Sequence, residues 1–296
     1  MTKYIILGHK NPDVDSIVSG YIYQNYLRRR NINAEFIIPD KHIDDDTLEI
    51  CRRFHLEPTE FQKPLEYDKD TKFILVDHHN RKELPNVELI IDHHFDEHKP
   101  DTANCVIEPS SSTSCLIVQG NEPYYSIHEI ELACMAAMVD TASFHSTKSC
   151  EWDLDWIYRM VEEKNLDFDE LYEAGLTIND ISNPQEAMFN SLKKYEIHGH
   201  NVESSSIHVN GMHNNWKNIN KIVQLLQDYT LENDIDYFLF IIHDMDKFET
   251  WLYTIDKFGY MRKKYQEYTS RGTTIIPEFT EDLKYTPKQK IKTDNN

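Results

Sequence analysis

The sequence predicts an α/β protein with an N-terminal doubly wound parallel sheet and a smaller C-terminal α/β domain. Three observations support this fold class. Residues 4–7 and 73–76 are short, continuous apolar runs, which are typical of strands buried on both faces of a sheet. Helical stretches separate these runs, which favours parallel strands joined by crossover helices. With 296 residues, 40% of them hydrophobic, the chain is long enough for two domains.

The elements of the N-terminal half follow one another as strand and helix. The predicted strands cover residues 4–7, 34–38, 73–76 and 87–91, and the predicted helices cover residues 16–30, 44–54, 111–118 and 127–139. The helix at 44–54 begins with aspartates, which favour a helix N-terminus. Ligands collect at the carboxyl ends of the strands in such sheets. Residues just past these ends are therefore candidate site residues.

The C-terminal part mixes helices and strands around a domain boundary. Residues 152–194 are mostly helical and charged, and the break at residues 180–184 places the boundary after residue 183. Beyond it we expect strands around 206–209, 237–242 and 251–255 and a helix at 218–229. The expected domains are residues 1–183 and 184–296, with the active site in the cleft between them. The second domain ends in a frayed, lysine-rich tail at residues 284–292.

Charge and composition exclude several classes of function. The formal net charge of −20 argues against binding to duplex nucleic acid or to anionic membranes, which require excess Lys and Arg. No apolar run approaches the roughly 20 residues that span a bilayer, and residues 1–7 are too short for a signal peptide. The 5 cysteines, an odd count without metal-type pairs, indicate a reducing compartment. We therefore expect a cytoplasmic protein.

Three short segments that are rich in Asp and His follow apolar runs. They are Gly8-His9-Lys10-Asn11-Pro12-Asp13-Val14-Asp15, Asp77-His78-His79 and Asp92-His93-His94. Each could be an ordinary polar turn, but their repetition at strand ends favours a shared site. Imidazole together with carboxylate suits Mn²⁺, Zn²⁺, Co²⁺ or Fe²⁺ better than Ca²⁺. The pattern predicts a centre for two divalent ions, with Asp77 well placed to bridge them.

These motifs also resemble those of a known family. The string from Gly8 to Ser16 resembles the first motif of the DHH phosphoesterase superfamily. The likeness is greatest to the branch of manganese-dependent (family II) inorganic pyrophosphatases and cytosolic exopolyphosphatases, which carry a DHHA2-type C-terminal domain. Residues 138–144 resemble the fourth motif of that family, in which Asp140 would supply a ligand. The resemblance covers nearly the whole chain.

The resemblance implies roles for individual residues. One ion would be held by His9, Asp13 and Asp77, and the other by Asp15, Asp77, His93 and Asp140, with Asp77 as the bridge. His94 would contact the phosphate. In the second domain Lys194, with Lys193 as the fallback, and Arg271 would bind phosphate oxygens. The roles of His78 and His79 stay open.

The resemblance further implies a hydrolase of phosphoanhydride bonds. The expected substrate is inorganic pyrophosphate or short polyphosphate, attacked in line by a metal-bridging hydroxide. The expected cofactors are two divalent ions, Mn²⁺ first and Co²⁺ or Mg²⁺ as alternatives. The partner is thus a small anionic phosphate compound rather than nucleic acid or membrane, and a homodimer is an open alternative.

One departure keeps other functions open. Gly272 stands where the family has a lysine after Ser-Arg, so one phosphate-binding cation is missing. The alternatives are an exopolyphosphatase, a phosphodiesterase acting on short oligonucleotides or cyclic dinucleotides, and a regulatory or binding member with weakened catalysis. Relatives that cut phosphodiesters usually carry a glycine-rich second domain, whose signature is absent from this sequence.

Overall fold

The computed structural model describes residues 3–79, 83–94 and 104–284. The chain divides into two compact units, Met1–Thr177 and Ile178–Asn296. The boundary predicted after residue 183 lies slightly later, directly before a short helix at Pro184–Ala187. Apart from Lys284, the predicted tail lies outside the described residues.

The first unit contains a parallel sheet, as the sequence predicts. Its strands are β1 (Tyr4–Leu7), β2 (Ala34–Ile37), β3 (Lys72–Val76), β4 (Val87–Asp92) and β5 (Cys105–Ile107). They lie in the order β2-β1-β3-β4-β5, and every described pairing between them is parallel. The side chains of Ile5, Leu7, Phe73 and Leu75 are almost completely buried, because the sheet is covered on both faces.

Helices cover this sheet, and two of them have one end near the carboxyl ends of the strands. They are α1 (Val14–Arg29), α2 (Asp45–Arg53), α3 (Thr113–Val118), α4 (Ile127–Asp140), α5 (Glu151–Lys164) and α6 (Phe168–Ala174). Helix α4 begins with a capping box formed by Ser126 and Glu129, and its residues 132–138 are all fully buried. Helix α1 begins at Val14, shortly after the end of β1, and α4 ends at Asp140. None of the helices in the described residues is long and apolar enough to cross a membrane.

The second unit is built on a mixed sheet. Its strands are β6 (Lys193–Ile197), β7 (His200–Val209), β8 (Tyr237–Asp244), β9 (Glu249–Asp256) and β10 (Gly259–Tyr265), in the order β10-β9-β8-β7-β6. Strands β7 and β8 are parallel and the other described pairings are antiparallel. The helices are α7 (Pro184–Ala187), α8 (Met212–Glu232) and α9 (Ile276–Leu283). Phe240 packs in the cluster that contains α8 residues, whereas Ile241 packs with Phe279 of α9.

The predicted helical stretch 152–194 is wrong at its end. Lys193 begins β6, which is an edge strand of the second sheet. Strand β10, the other edge, was not predicted either, and four of its seven residues are exposed. Exposed edge strands often contain charged residues, which prevent aggregation, and such strands therefore lack the alternating apolar pattern that predicts a strand.

Candidate metal centre

The predicted Asp and His residues meet at the carboxyl edge of the first sheet. Strands β1, β3 and β4 are neighbours in the sheet. Two of the motifs directly follow β1 and β3, and the third begins with Asp92, the last residue of β4. Asp13 caps the N-terminus of α1 by accepting a hydrogen bond from Ser16 N at 3.2 Å. Asp140 is the last residue of α4. Parallel strands and two helix ends thus bring together residues that are far apart in sequence.

One donor set consists of His9, Asp13 and Asp77. His9 Nε2 lies 3.0 Å from Asp13 Oδ2 and 3.4 Å from Asp77 Oδ2. His9 Nδ1 lies 2.8 Å from Lys10 O, so that nitrogen carries the proton and donates to the carbonyl. Nε2 is therefore the nitrogen that can bind a metal.

A second donor set consists of Asp15, His93 and Asp140. His93 Nε2 lies 3.4 Å from Asp140 Oδ2 and also 3.4 Å from Asp77 Oδ1. His93 Nδ1 lies 2.9 Å from Ser110 O, which fixes Nδ1 as the donor. The backbone contact thus directs Nε2 towards the carboxylates, as second-sphere contacts do in metal centres.

The spacing of the donor atoms fits divalent ions. If two ligand atoms each lie about 2.1 Å from one ion and subtend an angle of about 90–110° at it, they are about 3.0–3.4 Å apart. The distances from His9 and His93 to their carboxylates fall in that interval. In addition, His93 Nε2 and Asp140 Oδ2 are buried and have no hydrogen-bond partner within the described residues. Buried polar atoms of this kind are expected to bind something else, and a cation satisfies both.

Burial and mutual repulsion make the central carboxylates hard to ionise without a cation. The pKa of Asp77 is raised to about 8, first by burial and then by the negative charges of Asp15 and Asp13. Burial, together with the charge of Asp140, also raises the pKa of Asp15, which His93 partly offsets. Positive charge placed among these residues would remove the repulsion.

The second donor set already contains a protein cation. Lys148 Nζ lies 2.5 Å from Asp140 Oδ1. Although burial opposes ionisation, Lys148 and His93 lower the pKa of Asp140. Burial also opposes the protonation of His93, but Asp77 and Asp140 outweigh it and raise the pKa of His93 to about 10. Lys148 could not be predicted from the sequence, because no periodic pattern connects it to the motifs.

Asp92 orients the second histidine of each Asp-His-His motif. This fully buried carboxylate accepts a hydrogen bond from His79 Nδ1, and its Oδ1 lies 2.8 Å from His94 Nδ1. Burial alone would raise the pKa of Asp92, but these two histidines lower it well below its usual range. His94 also falls in a third donor group with Asp77 and His93. His78 is turned to the backbone, with Nδ1 2.9 Å from Val76 O.

Two segments of the centre have unusual backbone conformations. Asp77 has a φ of 61°, which is in the left-handed region. Ala142, Ser143 and Phe144, directly after Asp140 and its neighbour, are left-handed as well, with φ of 48°, 53° and 65°. Such conformations cost energy and persist where the surrounding structure fixes them, which is common at functional sites. Here Ser143 N donates to Met138 O at 2.7 Å and fixes that turn.

The predicted residues of the second unit lie on different faces of its sheet. Lys194 is paired in register with Glu203 and binds it, with Nζ 2.7 Å from Oε1. Lys193 is paired with Ser204, whose Oγ lies 3.4 Å from Arg271 Nη1. Arg271 Nη1 also donates to Ser191 O at 2.7 Å. Since neighbouring residues of a strand point to opposite faces, Lys193 shares a face with Arg271 and Lys194 does not.

Comparisons with known proteins agree with this fold and with these motifs. Residues 3–139 match the DHH family, N-terminal domain. The "probable manganese-dependent inorganic pyrophosphatase" of Lactobacillus acidophilus is 23% identical over 257 residues, which are 82% of each chain. Its counterpart in Bacillus cereus is 26% identical over 264 residues, 83% of each chain. A crystal structure from Methanococcus jannaschii, assigned to the family II inorganic pyrophosphatases, has a similar fold, with a TM-score of 0.74 and 18% identity over 94% of this chain and 98% of that chain.

Proposed function

We propose that the protein is a metal-dependent hydrolase of inorganic pyrophosphate and a member of the DHH family, whose N-terminal domain matches residues 3–139. The observation that carries the proposal is the position of Asp77 between the two donor sets. Its Oδ2 lies 3.4 Å from His9 Nε2, and its Oδ1 lies 3.4 Å from His93 Nε2. One carboxylate can therefore serve two ions. Both relatives are named probable manganese-dependent inorganic pyrophosphatases, which supports the proposed substrate and metal.

The donor sets define which residues would hold the ions. We assign His9, Asp13 and Asp77 to one ion and Asp15, Asp77, His93 and Asp140 to the other. Their mixture of imidazole and carboxylate suits Mn²⁺. When bound, such ions withdraw electrons from phosphoryl oxygens and lower the pKa of water.

The side chains of the protein would bind and orient the substrate. Pyrophosphate carries several negative charges, so hydrolysis depends chiefly on positioning and charge neutralisation. In the reaction a bond forms between the water oxygen and one phosphorus, and the bridging P–O bond breaks. The proton that the water loses is balanced by the one that the leaving phosphate gains, and two phosphates are released. Asp92 fixes His94 Nδ1 as a donor. We assign His94, in the form protonated at both nitrogens, to a phosphate oxygen, to which Nε2 donates.

Two cations of the second unit would bind further phosphate oxygens. Arg271 offers a planar fork of donors, which suits phosphate. We assign the phosphate-binding lysine to Lys193 rather than to Lys194, because Lys193 shares a face of the sheet with Arg271. Lys194 is bound to Glu203 on the other face.

The decisive experiment measures phosphate release from pyrophosphate and tripolyphosphate with Mn²⁺, Co²⁺ or Mg²⁺. In parallel, chromatography follows the conversion of linear and cyclic dinucleotides. We expect turnover of pyrophosphate with Mn²⁺. Asp77→Asn should lower kcat at least about 10²–10³-fold, and asparagine suits the left-handed backbone of Asp77. Asp155→Asn, an exposed carboxylate of α5, is the matched control. Absence of turnover with every metal, or full activity of Asp77→Asn, would refute the proposal.

A further inference from the structure

Five consecutive hydroxyl residues, 110–114, form a buried strap that runs from the loop after β5 into the first turn of α3. They are Ser110, Ser111, Ser112, Thr113 and Ser114, and none is more than 4% exposed. Ser112 caps α3, with its Oγ accepting from Cys115 N at 3.1 Å. Buried hydroxyl groups need hydrogen-bond partners, so an uninterrupted run of them indicates a built polar structure.

The strap contacts residues of both donor sets. Ser110 O accepts a hydrogen bond from His93 Nδ1 at 2.9 Å. Asp15 accepts hydrogen bonds from Thr113 N at 2.7 Å and from Ser114 N at 3.0 Å. Thr113 Oγ1 donates to Asp77 Oδ1 at 3.3 Å. The orientation of His93 and Asp15 therefore depends on where the strap lies.

Asp153 binds the strap through groups of Ser110 and Ser111 that do not contact the donor residues. This residue lies in the first turn of α5 and is 1% exposed. Its Oδ2 accepts hydrogen bonds from Ser110 Oγ at 2.9 Å and from Ser111 N at 2.5 Å, and its Oδ1 accepts one from Gln119 Nε2 at 2.5 Å. A carboxylate accepts at both oxygens, whereas an amide would present its own N–H groups to one of these donors.

We propose that Asp153 is a positioning residue, which fixes the strap so that Ser110 O orients His93 and the start of α3 holds Asp15. The inference rests on the proposed function, because it concerns the ion that we assign to Asp15, His93 and Asp140. Contacts of this kind behind the ligands typically contribute about 10–100-fold to metal affinity. Asp153 lies outside the predicted motifs, and its hydrogen bonds among the described residues go to Ser110, Ser111 and Gln119 rather than to a donor atom, so we expect it to act through the strap.

The test is calorimetric titration of the full, metal-stripped chain with Mn²⁺. Two binding transitions are expected, and the variants His9→Gln and Asp140→Asn identify which transition belongs to which donor set. Asp153→Asn should weaken one binding transition, the one that Asp140→Asn removes, by about 10–100-fold. The transition that His9→Gln removes should weaken much less, because the strap touches that donor set only through the hydrogen bond from Thr113 to Asp77. A residue that merely stabilises the fold would not affect one site selectively.

Controls separate this inference from the proposed function. Asp155→Asn, exposed on the same helix, should bind both ions as the unmodified chain does. If Asp153→Asn does not fold, Ser110→Ala decides, since it removes one hydrogen bond to Asp153 and should weaken the same transition severalfold. No Mn²⁺ binding by the unmodified chain would refute the proposed function. If the unmodified chain shows two binding transitions and Asp153→Asn and Ser110→Ala bind Mn²⁺ with unaltered affinities, the role of Asp153 is refuted and the proposed function is not.

Discussion

Lys148 and Asp140 form an ion pair inside the candidate metal centre, with Lys148 Nζ 2.5 Å from Asp140 Oδ1. The side chain of Lys148 is only 14% exposed. Asp140 Oδ2 faces His93 instead, at 3.4 Å from Nε2. Each oxygen of this carboxylate thus has a separate task, and the lysine decreases the negative charge that a divalent ion would meet.

Replacing Lys148 should tighten metal binding and weaken the metal-free fold. The ammonium repels an ion that shares its carboxylate, so Lys148→Met should raise Mn²⁺ affinity at least about tenfold, or about 1.4 kcal/mol. Without metal, the variant leaves Asp140 without its cation, and its Tm should fall by a few degrees. Titration calorimetry and thermal unfolding with and without Mn²⁺ measure both effects. Lys69→Met, an exposed lysine, is the control, and unchanged affinity in Lys148→Met would contradict the prediction.

Substitution of His79 should affect stability and substitution of His94 should affect catalysis, although both histidines bind Asp92. The side chain of His79 is 12% exposed and that of His94 is 37% exposed, so His94 is the one that substrate can reach. His79→Gln should lower the free energy of unfolding by about 1.5–3 kcal/mol with little change in kcat/KM. His94→Gln should lower kcat/KM about 10²–10³-fold with little change in Tm. Equal losses of activity in the two variants would show that the assignment of roles is wrong.

The first unit could be predicted from the sequence because burial leaves a strong pattern. Residues 73–76 are apolar without interruption, since β3 lies inside the sheet and is covered on both faces. Strand β6 could not be predicted in the same way, because Lys193 and Lys194 occupy its exposed edge and resemble the end of a charged helix. Strand β5 has only three residues, Cys105–Ile107, which is too short for a periodic pattern.

The donor residues could be predicted where they follow strands, and their supporting contacts could not. Parallel topology brings His9, Asp77 and His93 to one edge, so their spacing in the sequence is irrelevant. Lys148 and Asp153 reach the centre through loops and helix starts, for which residue order gives no geometric rule. The run of five hydroxyl residues at 110–114 was the one visible signal of the strap.

Lys193 and Lys194 are adjacent but should differ in their effect on substrate binding. Lys193→Met should raise the KM for pyrophosphate about tenfold or more, because a charge-assisted contact to phosphate is lost. Lys194→Met leaves the buried carboxylate of Glu203 without its cation, so stability should fall, but its KM should stay unchanged. Lys221→Met, an exposed lysine of α8, controls for the lost charge. The opposite ranking of the KM values would return the assignment to Lys194.

His243 should make the stability of the second unit depend on pH. Its ring is stacked on Tyr268 with the centroids 4.0 Å apart, and its Nδ1 lies 3.0 Å from Thr250 Oγ1. Burial lowers the pKa of His243 well below its ordinary value, and the nearby charges of His208 and Arg271 lower it further. The folded chain therefore keeps this imidazole neutral at a pH where the unfolded chain protonates it.

The sign of the effect follows from this difference in proton binding. Below about pH 6.5 the unfolded chain binds a proton that the folded chain does not, so the free energy of unfolding decreases as the pH falls. His243→Gln removes this pH-dependent contribution to the free energy of unfolding. Between pH 6.5 and 5 the stability advantage of the unmodified chain over the variant should shrink by about 2 kcal/mol. Urea unfolding followed by tryptophan fluorescence at several pH values measures it, with His213→Gln, an exposed histidine, as the control. A difference that stays constant with pH would show that His243 accepts a proton within the folded unit.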